Sequence, residues 1–135
     1  MNKPQVECVL KKPANVMIID DDVDLREVVS WAFAREGYAV QAFNDPIDAV
    51  EFLKLGRNLP GLILADYHMY GMKGGEFLTM KNLIPAQDVQ ACPVVMISAS
   101  PNDVEKDVPR EHYKEMLTKP LDLKGLVINM KKYLQ

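Results

Sequence analysis

The amino-acid sequence predicts a doubly wound α/β domain, and three patterns carry that prediction. Continuous apolar runs at residues 16–19, 62–65 and 94–97 have the character of strands buried on both faces, and weaker runs at 38–43 and 115–118 complete a set of five. Helical periods fall between these runs. No Asn-Gly or Asp-Gly pair marks a hairpin, so the strands are expected to run parallel in βαβ units with right-handed crossovers.

Taken in order, residues 1–14 hold prolines and lysines with little periodicity and are expected to form an arm before a single domain at 15–135. The first helix is predicted from Leu25, Val28, Val29, Ala32 and Phe33, which repeat at helical spacing behind Asp22 as N-cap; Trp31 falls off this stripe and is expected to be exposed. Asp45-Pro46-Ile47-Asp48 supplies a cap and a first-turn proline for the second helix, which Gly56 can close. A third helix is expected from about Gly75 to Ile84, and a short fourth from about Asn102 to Asp107, ending where Val108 precedes Pro109. Leu123, Leu126, Val127, Met130 and Leu134 predict an amphipathic last helix. Met69, Met72 and Met80 are expected to fill gaps in the core.

Bulk composition narrows the function classes. The chain has 135 residues, 48% hydrophobic, enough for one sizeable core, and a net charge of −3 with no Lys/Arg block longer than two. Direct nucleic-acid binding and attraction to an anionic membrane surface are therefore not expected. Cys8 and Cys92 stand far apart without metal-ligand spacing, which fits a reducing, cytoplasmic setting better than zinc or disulfides. The N-terminus lacks a continuous apolar signal-type region, and no apolar run approaches the roughly 18 residues of a membrane span.

In a doubly wound sheet, ligands bind beyond the carboxyl ends of the strands, so the residues just after each apolar run carry the chemistry. These are Asp20, Asp21 and Asp22 after the first strand, Asp66 after the third, Ser98 after the fourth and Lys119 after the fifth. Three crowded carboxylates repel one another unless a cation joins them, and Mg²⁺ suits carboxylates, carbonyls and waters in octahedral array. Of the three, Asp22 is expected to be structural, as the N-cap of the first helix. A cation site, a lysine ammonium and a hydroxyl around an aspartate are what phosphoryl transfer to a carboxylate needs, since that chemistry is mostly positioning and charge neutralisation.

The segments IIDDD, LILADYHMYGMKGGEFL, PVVMISAS and TKP, in this order and spacing, resemble the receiver domain of two-component response regulators over residues 16–133. The resemblance implies a five-stranded, flavodoxin-like (βα)5 receiver fold of strand order 2-1-3-4-5. It further implies that Asp66 accepts a phosphoryl group from a sensor histidine kinase or a His phosphotransfer protein. Mg²⁺ is then held by Asp21, Asp66 and the backbone carbonyl of His68, with Asp20 acting through water; Ser98 and Lys119 contact the phosphoryl group. A cis Lys119–Pro120 bond is implied as well. The side chain of His68 has no second His or Cys at ligand spacing and is expected to face solvent.

Two positions depart from the family pattern. Met69-Tyr70-Gly71 stands where Met-Pro-Gly is usual, and Met116 stands three before the lysine, where the family carries the Tyr or Phe that swings inward on activation. Flexible Met116 is expected to fill space vacated when Ser98 moves toward a phosphoryl group.

Rival functions fit less of the sequence. A haloacid dehalogenase-type hydrolase would use Asp20 as nucleophile in an Asp-x-Asp pair with Asp22, but Asp24 stands where that motif has Thr or Val. An EF-hand counted from Asp20 meets Leu25 at position six and Trp31 at position twelve, neither of them a required residue. A receiver fold kept as a phosphorylation-independent binding module is the remaining alternative, favoured by Met116 and Tyr70 and opposed by the complete set Asp20, Asp21, Asp66, Ser98 and Lys119.

Overall fold

A computed structural model describes residues 15–69 and 72–134; the N-terminal arm with Cys8, and Tyr70 and Gly71, lie outside the described residues. The five principal strands are β1 (Asn15–Ile19), β2 (Ala39–Phe43), β3 (Leu62–Asp66), β4 (Val94–Ser98) and β5 (Glu115–Thr118). They form one parallel sheet in the order β2-β1-β3-β4-β5. The predicted order and direction are thus observed.

Helices α1 (Val23–Arg35) and α5 (Leu123–Leu134) cover one face of the sheet, while α2 (Pro46–Lys54), α3 (Gly74–Leu83) and α4 (Pro101–Asp107) cover the other. Alternation along the strands divides the core accordingly. Val16, Ile18, Leu62, Leu64, Val95 and Ile97 pack under α1 and α5, whereas Met17, Ile19, Ile63, Ala65, Val94 and Met96 pack under α2, α3 and α4. Every residue of β3 and β4 is buried, which is why their sequences run apolar without alternation, while edge strands β2 and β5 are only half covered.

Local chemistry sets the boundaries. The Asp22 carboxylate accepts from the N–H groups of Asp24 and Leu25 at the start of α1, and that of Asp45 accepts from the Ile47 N–H at the start of α2, ahead of Pro46. Gly37 and Gly56 follow α1 and α2 with φ of 90° and 69°, the left-handed conformation that reverses the chain after a helix.

Three details differ from the sequence expectation. Val28 is 43% exposed: the buried stripe of α1 is centred on Val29 and Phe33, and at about 100° per residue Val28 lies on its far edge. A small antiparallel ribbon pairs His68–Met69 with Met72–Lys73, too short a pairing for any alternating pattern to announce. A single helical turn, Gln87–Gln90, also stands between α3 and β4, stabilised by the buried Lys81 ammonium donating to the Gln90 carbonyl at 2.8 Å. Met69 is buried, with Met72 and Met80 packed against the same core, and Trp31 is 60% exposed beneath the Arg35 guanidinium. Among the described residues no helix is long and apolar enough to cross a membrane.

The Asp45 cap is exposed, and its carboxylate accepts from the Ile47 N–H at the start of α2. Asp45→Ala is expected to lower stability by about 1 kcal/mol, seen as a lower urea midpoint with an unchanged denaturant slope.

Candidate functional site

Strand ends build the site. The Ile19↔Ala65 register of β1 and β3 brings the next residues, Asp20 and Asp66, side by side, each only 3% exposed. Asp20 is fixed from three directions: its N–H donates to Phe43 O at 3.1 Å, its carboxylate accepts from the Asp22 N–H at 2.9 Å, and its carbonyl accepts from the Arg26 guanidinium at 2.7 Å. One Asp66 carboxylate oxygen accepts from the His68 N–H at 3.3 Å, and the other accepts from the Lys119 ammonium at 3.1 Å. Lys119 Nζ also lies 4.0 Å from Asp20 Oδ2.

Lys119 reaches the acids from the end of β5, where its N–H donates to Ser98 O at 2.9 Å and the following peptide bond to Pro120 is cis. Ser98 is fully buried, and its hydroxyl accepts from the Ser100 N–H at 2.9 Å. Asp21 is exposed at the mouth of the site. Oxygen atoms of Asp20, Asp21 and Asp66 all lie within 4.8 Å of one another, a spacing that one cation can bridge. The His68 side chain is exposed, its ring against Tyr67. All six strand-end residues named from the sequence therefore lie on one rim, with Asp22 turned to capping.

Electrostatics follow from this crowding. Burial, together with the neighbouring Asp66 charge, pushes the Asp20 carboxyl up to about 6 against the opposing pull of the Asp22 amide and Lys119. For Lys119 burial acts downward, but the hydrogen bond to Asp66 and the charges of Asp66 and Asp20 outweigh it, so its ammonium titrates above the ordinary lysine range. Two buried carboxylates against one ammonium leave the pocket negative and suited to a small divalent cation.

Some residues at this rim escape sequence reasoning. Arg26 supports the Asp20 backbone from within α1, but an arginine on the first turns of a helix is normally a solvated surface residue. Tyr67, directly after Asp66, is 1% exposed and donates its hydroxyl to Asp107 of α4, a pairing between distant segments that no local pattern signals. Met116 is half-buried against the core beneath α4 and, with Glu105, Val108, Arg110 and Tyr113, lines a cleft of about 450 Å³.

Comparison with known proteins decides the family. Residues 16–131 match the model of the response regulator receiver domain. The chain belongs to the response regulator receiver family. Chemotaxis protein CheY-3 of Vibrio cholerae is 30% identical over 95 residues, 70% of each chain, and putative two-component response regulator ARR21 of Arabidopsis thaliana is 35% identical over 94 residues. This chain spans 15% of the length of ARR21 and 28% of that of the phosphoglycerate transport regulator PgtA of Salmonella typhimurium. Among solved structures, the receiver-like fold is shared with chemotaxis response regulator CheY4 of Vibrio cholerae, at TM-score 0.73 and 23% identity over 91% of this chain and 100% of that one. An uncharacterized protein from Neptuniibacter caesariensis aligns at TM-score 0.76 and 27% identity, covering 92% of this chain and 89% of that one.

The raised Asp20 value carries a stability consequence for the metal-free receiver. Because the folded chain holds this proton more tightly than the unfolded one, with its ordinary value of 3.8, the stability that Asp20 contributes is full below about pH 4 and is lost as pH rises through about 6. Ionised Asp20 thus weighs against the fold at neutral pH by roughly 2–3 kcal/mol. Asp20→Asn keeps an acceptor for the Asp22 N–H and removes the charge. In chelator at pH 7 the variant is expected to melt roughly 7–10 °C above wild type, with the difference shrinking toward pH 4, by scanning calorimetry.

Proposed function

We propose that this receiver acts in a phosphorelay, taking a phosphoryl group onto Asp66 from the phosphohistidine of a sensor kinase or phosphotransfer protein. The observation that supports it most directly is the Asp66 carboxylate, buried among acids yet bonded to the Lys119 ammonium at 3.1 Å. That contact places a cation directly beside the carboxylate that would act as nucleophile.

In the transfer, an Asp66 carboxylate oxygen attacks phosphorus, the P–N bond of the donor breaks, and its electron pair returns to the imidazole nitrogen. Lys119 holds negative charge on the transferred group, and Ser98 turns its hydroxyl to donate to a phosphoryl oxygen. Asp20, Asp21 and Asp66 fit Mg²⁺ by donor type and spacing, with the His68 carbonyl as a further ligand. When bound, Mg²⁺ neutralises carboxylate and phosphoryl charge. Return of the switch requires water to attack the acyl phosphate, releasing inorganic phosphate and the free carboxylate. The domain spans residues 15–135 behind the arm at 1–14 and works in the cytoplasm, and its role is that of a signalling switch rather than a metabolic catalyst.

Met116, in the place of the family's aromatic residue, favours one second reading: a receiver fold that binds a partner without being phosphorylated. Incubation with acetyl phosphate separates the two. A Mg²⁺-dependent mass gain of one phosphoryl group, absent in Asp66→Asn and reduced at least tenfold in rate in Lys119→Ala, is the expected result by intact-protein mass spectrometry. No adduct in wild type with Mg²⁺ overturns the phosphorelay reading in favour of the binding module.

A further inference from the structure

Helix α4 has only seven residues, Pro101–Asp107, too few to hold its shape without outside support. Its support comes from the phosphoacceptor's neighbours at both ends. At the start, the Ser98 hydroxyl accepts from the N–H of Ser100, which stands at the N-cap position of α4 and makes no side-chain cap bond of its own. At the finish, the Tyr67 hydroxyl donates to the Asp107 carboxylate, and Val104 and Val108 are buried on the same side. Gly75 of α3 lies so near that an added β-carbon would stand 3.3 Å from Val108 Cγ2.

Tyr67 is firmly tied to the site as well. It follows Asp66 in the chain, and its N–H donates to Ile97 O at 2.8 Å, the residue just before Ser98. Any shift of the ends of β3 or β4 therefore moves the Tyr67 backbone directly. Its ring is buried in the core between the sheet and α4, so a displacement passes along a rigid aromatic body to the hydroxyl. Burial and the adjoining Asp107 carboxylate push the phenol up to about 12, so it remains the donor throughout the physiological range.

Resting on the phosphorelay reading, we infer that Tyr67 is the positioning residue that carries the state of Asp66 to α4, through its hydroxyl bond to Asp107. Phosphorylation draws Ser98 away from Ser100 and frees the first turn of α4, and the Tyr67–Asp107 bond then holds the last turn to the moving end of β3. The helix pivots about its C-terminal end. Its motion changes the neighbouring cleft lined by Glu105, Val108, Arg110, Tyr113 and Met116, with no aromatic swing at position 116.

The test is backbone hydrogen exchange of the full chain with and without beryllofluoride and Mg²⁺, in wild type, Tyr67→Phe, Asp107→Ala and Asp107→Asn. Asp107 is exposed, so its variants leave the core intact even where Tyr67→Phe perturbs it. In wild type, beryllofluoride is expected to speed exchange in residues 100–103 while 104–108 stay protected. In Tyr67→Phe and Asp107→Ala, residues 104–108 are expected to exchange about fivefold faster with beryllofluoride than without it, since their anchor is gone. Phosphoryl incorporation at Asp66 is expected to stay within threefold of wild type. Asp107→Asn retains a carbonyl acceptor for the Tyr67 hydroxyl and is expected to behave as wild type. Wild-type-like responses in Tyr67→Phe and Asp107→Ala overturn the role of Tyr67 alone. Absence of any beryllofluoride response in wild type, with no phosphoryl incorporation, overturns the phosphorelay reading and this inference together.

Discussion

The whole site depends on one unfavourable juxtaposition, the burial of Asp20 and Asp66 side by side at the ends of adjacent parallel strands. Two carboxylates removed from water repel each other and resist ionisation, and the upward displacement of Asp20 expresses that conflict. The conflict persists because the sheet overdetermines it. Ile19 and Ala65 just before the acids are fully buried in the apolar interior, so the acids cannot separate without unseating the central strands. Lys119 offsets part of the repulsion from a third strand, and its N–H bond to Ser98 O fixes where its side chain begins.

The residues that create the charge also start the helices. Asp22 caps α1, the Asp20 carboxylate accepts from the Asp22 N–H, and Arg26 of α1 returns a bond to the Asp20 carbonyl, so the first helix and the first acid hold each other in place. Ser98 is bonded to the start of α4 in another way, its hydroxyl accepting from the N–H of Ser100 at the N-cap position. Helix starts and site geometry are consequently bonded together, and a ligand that reorients Ser98 must also take away the acceptor of the Ser100 N–H just before α4. That linkage needs no long chain of intermediates, because only one residue separates Ser98 from the cap.

The sheet and the rim were legible in the sequence because each follows from short-range rules. Apolar runs such as Leu62–Ala65 announce buried strands, and the first polar residue after each must fall at the rim where the sheet meets solvent. Asp20, Asp66, Ser98 and Lys119 could be named from that rule together with the family resemblance. Val28 was misplaced because helical spacing gives the width of an apolar stripe more securely than its centre, which here is set by where α1 meets α5 and the sheet. Arg26, Tyr67 and Lys81 were not legible at all as site or anchor residues. Each acts through a side chain that ends on a partner chosen by tertiary packing: the Asp20 carbonyl, the Asp107 carboxylate and the Gln90 carbonyl.

Side-chain stiffness separates the two routes from the site to the α4 surface. Met116 pairs in register with Met96 and is only half-buried, and its unbranched thioether has three rotatable bonds with which to follow a moving neighbour. Such a side chain absorbs displacement, filling whatever space opens beside it. Tyr67 has two, is sealed in the core and ends in a directional hydrogen bond, so it cannot follow a shift of β3 without moving what it is bonded to. With methionine at 116, the stiffer connection between the acids and α4 runs through the residue that follows Asp66, on the face of the sheet that α4 covers.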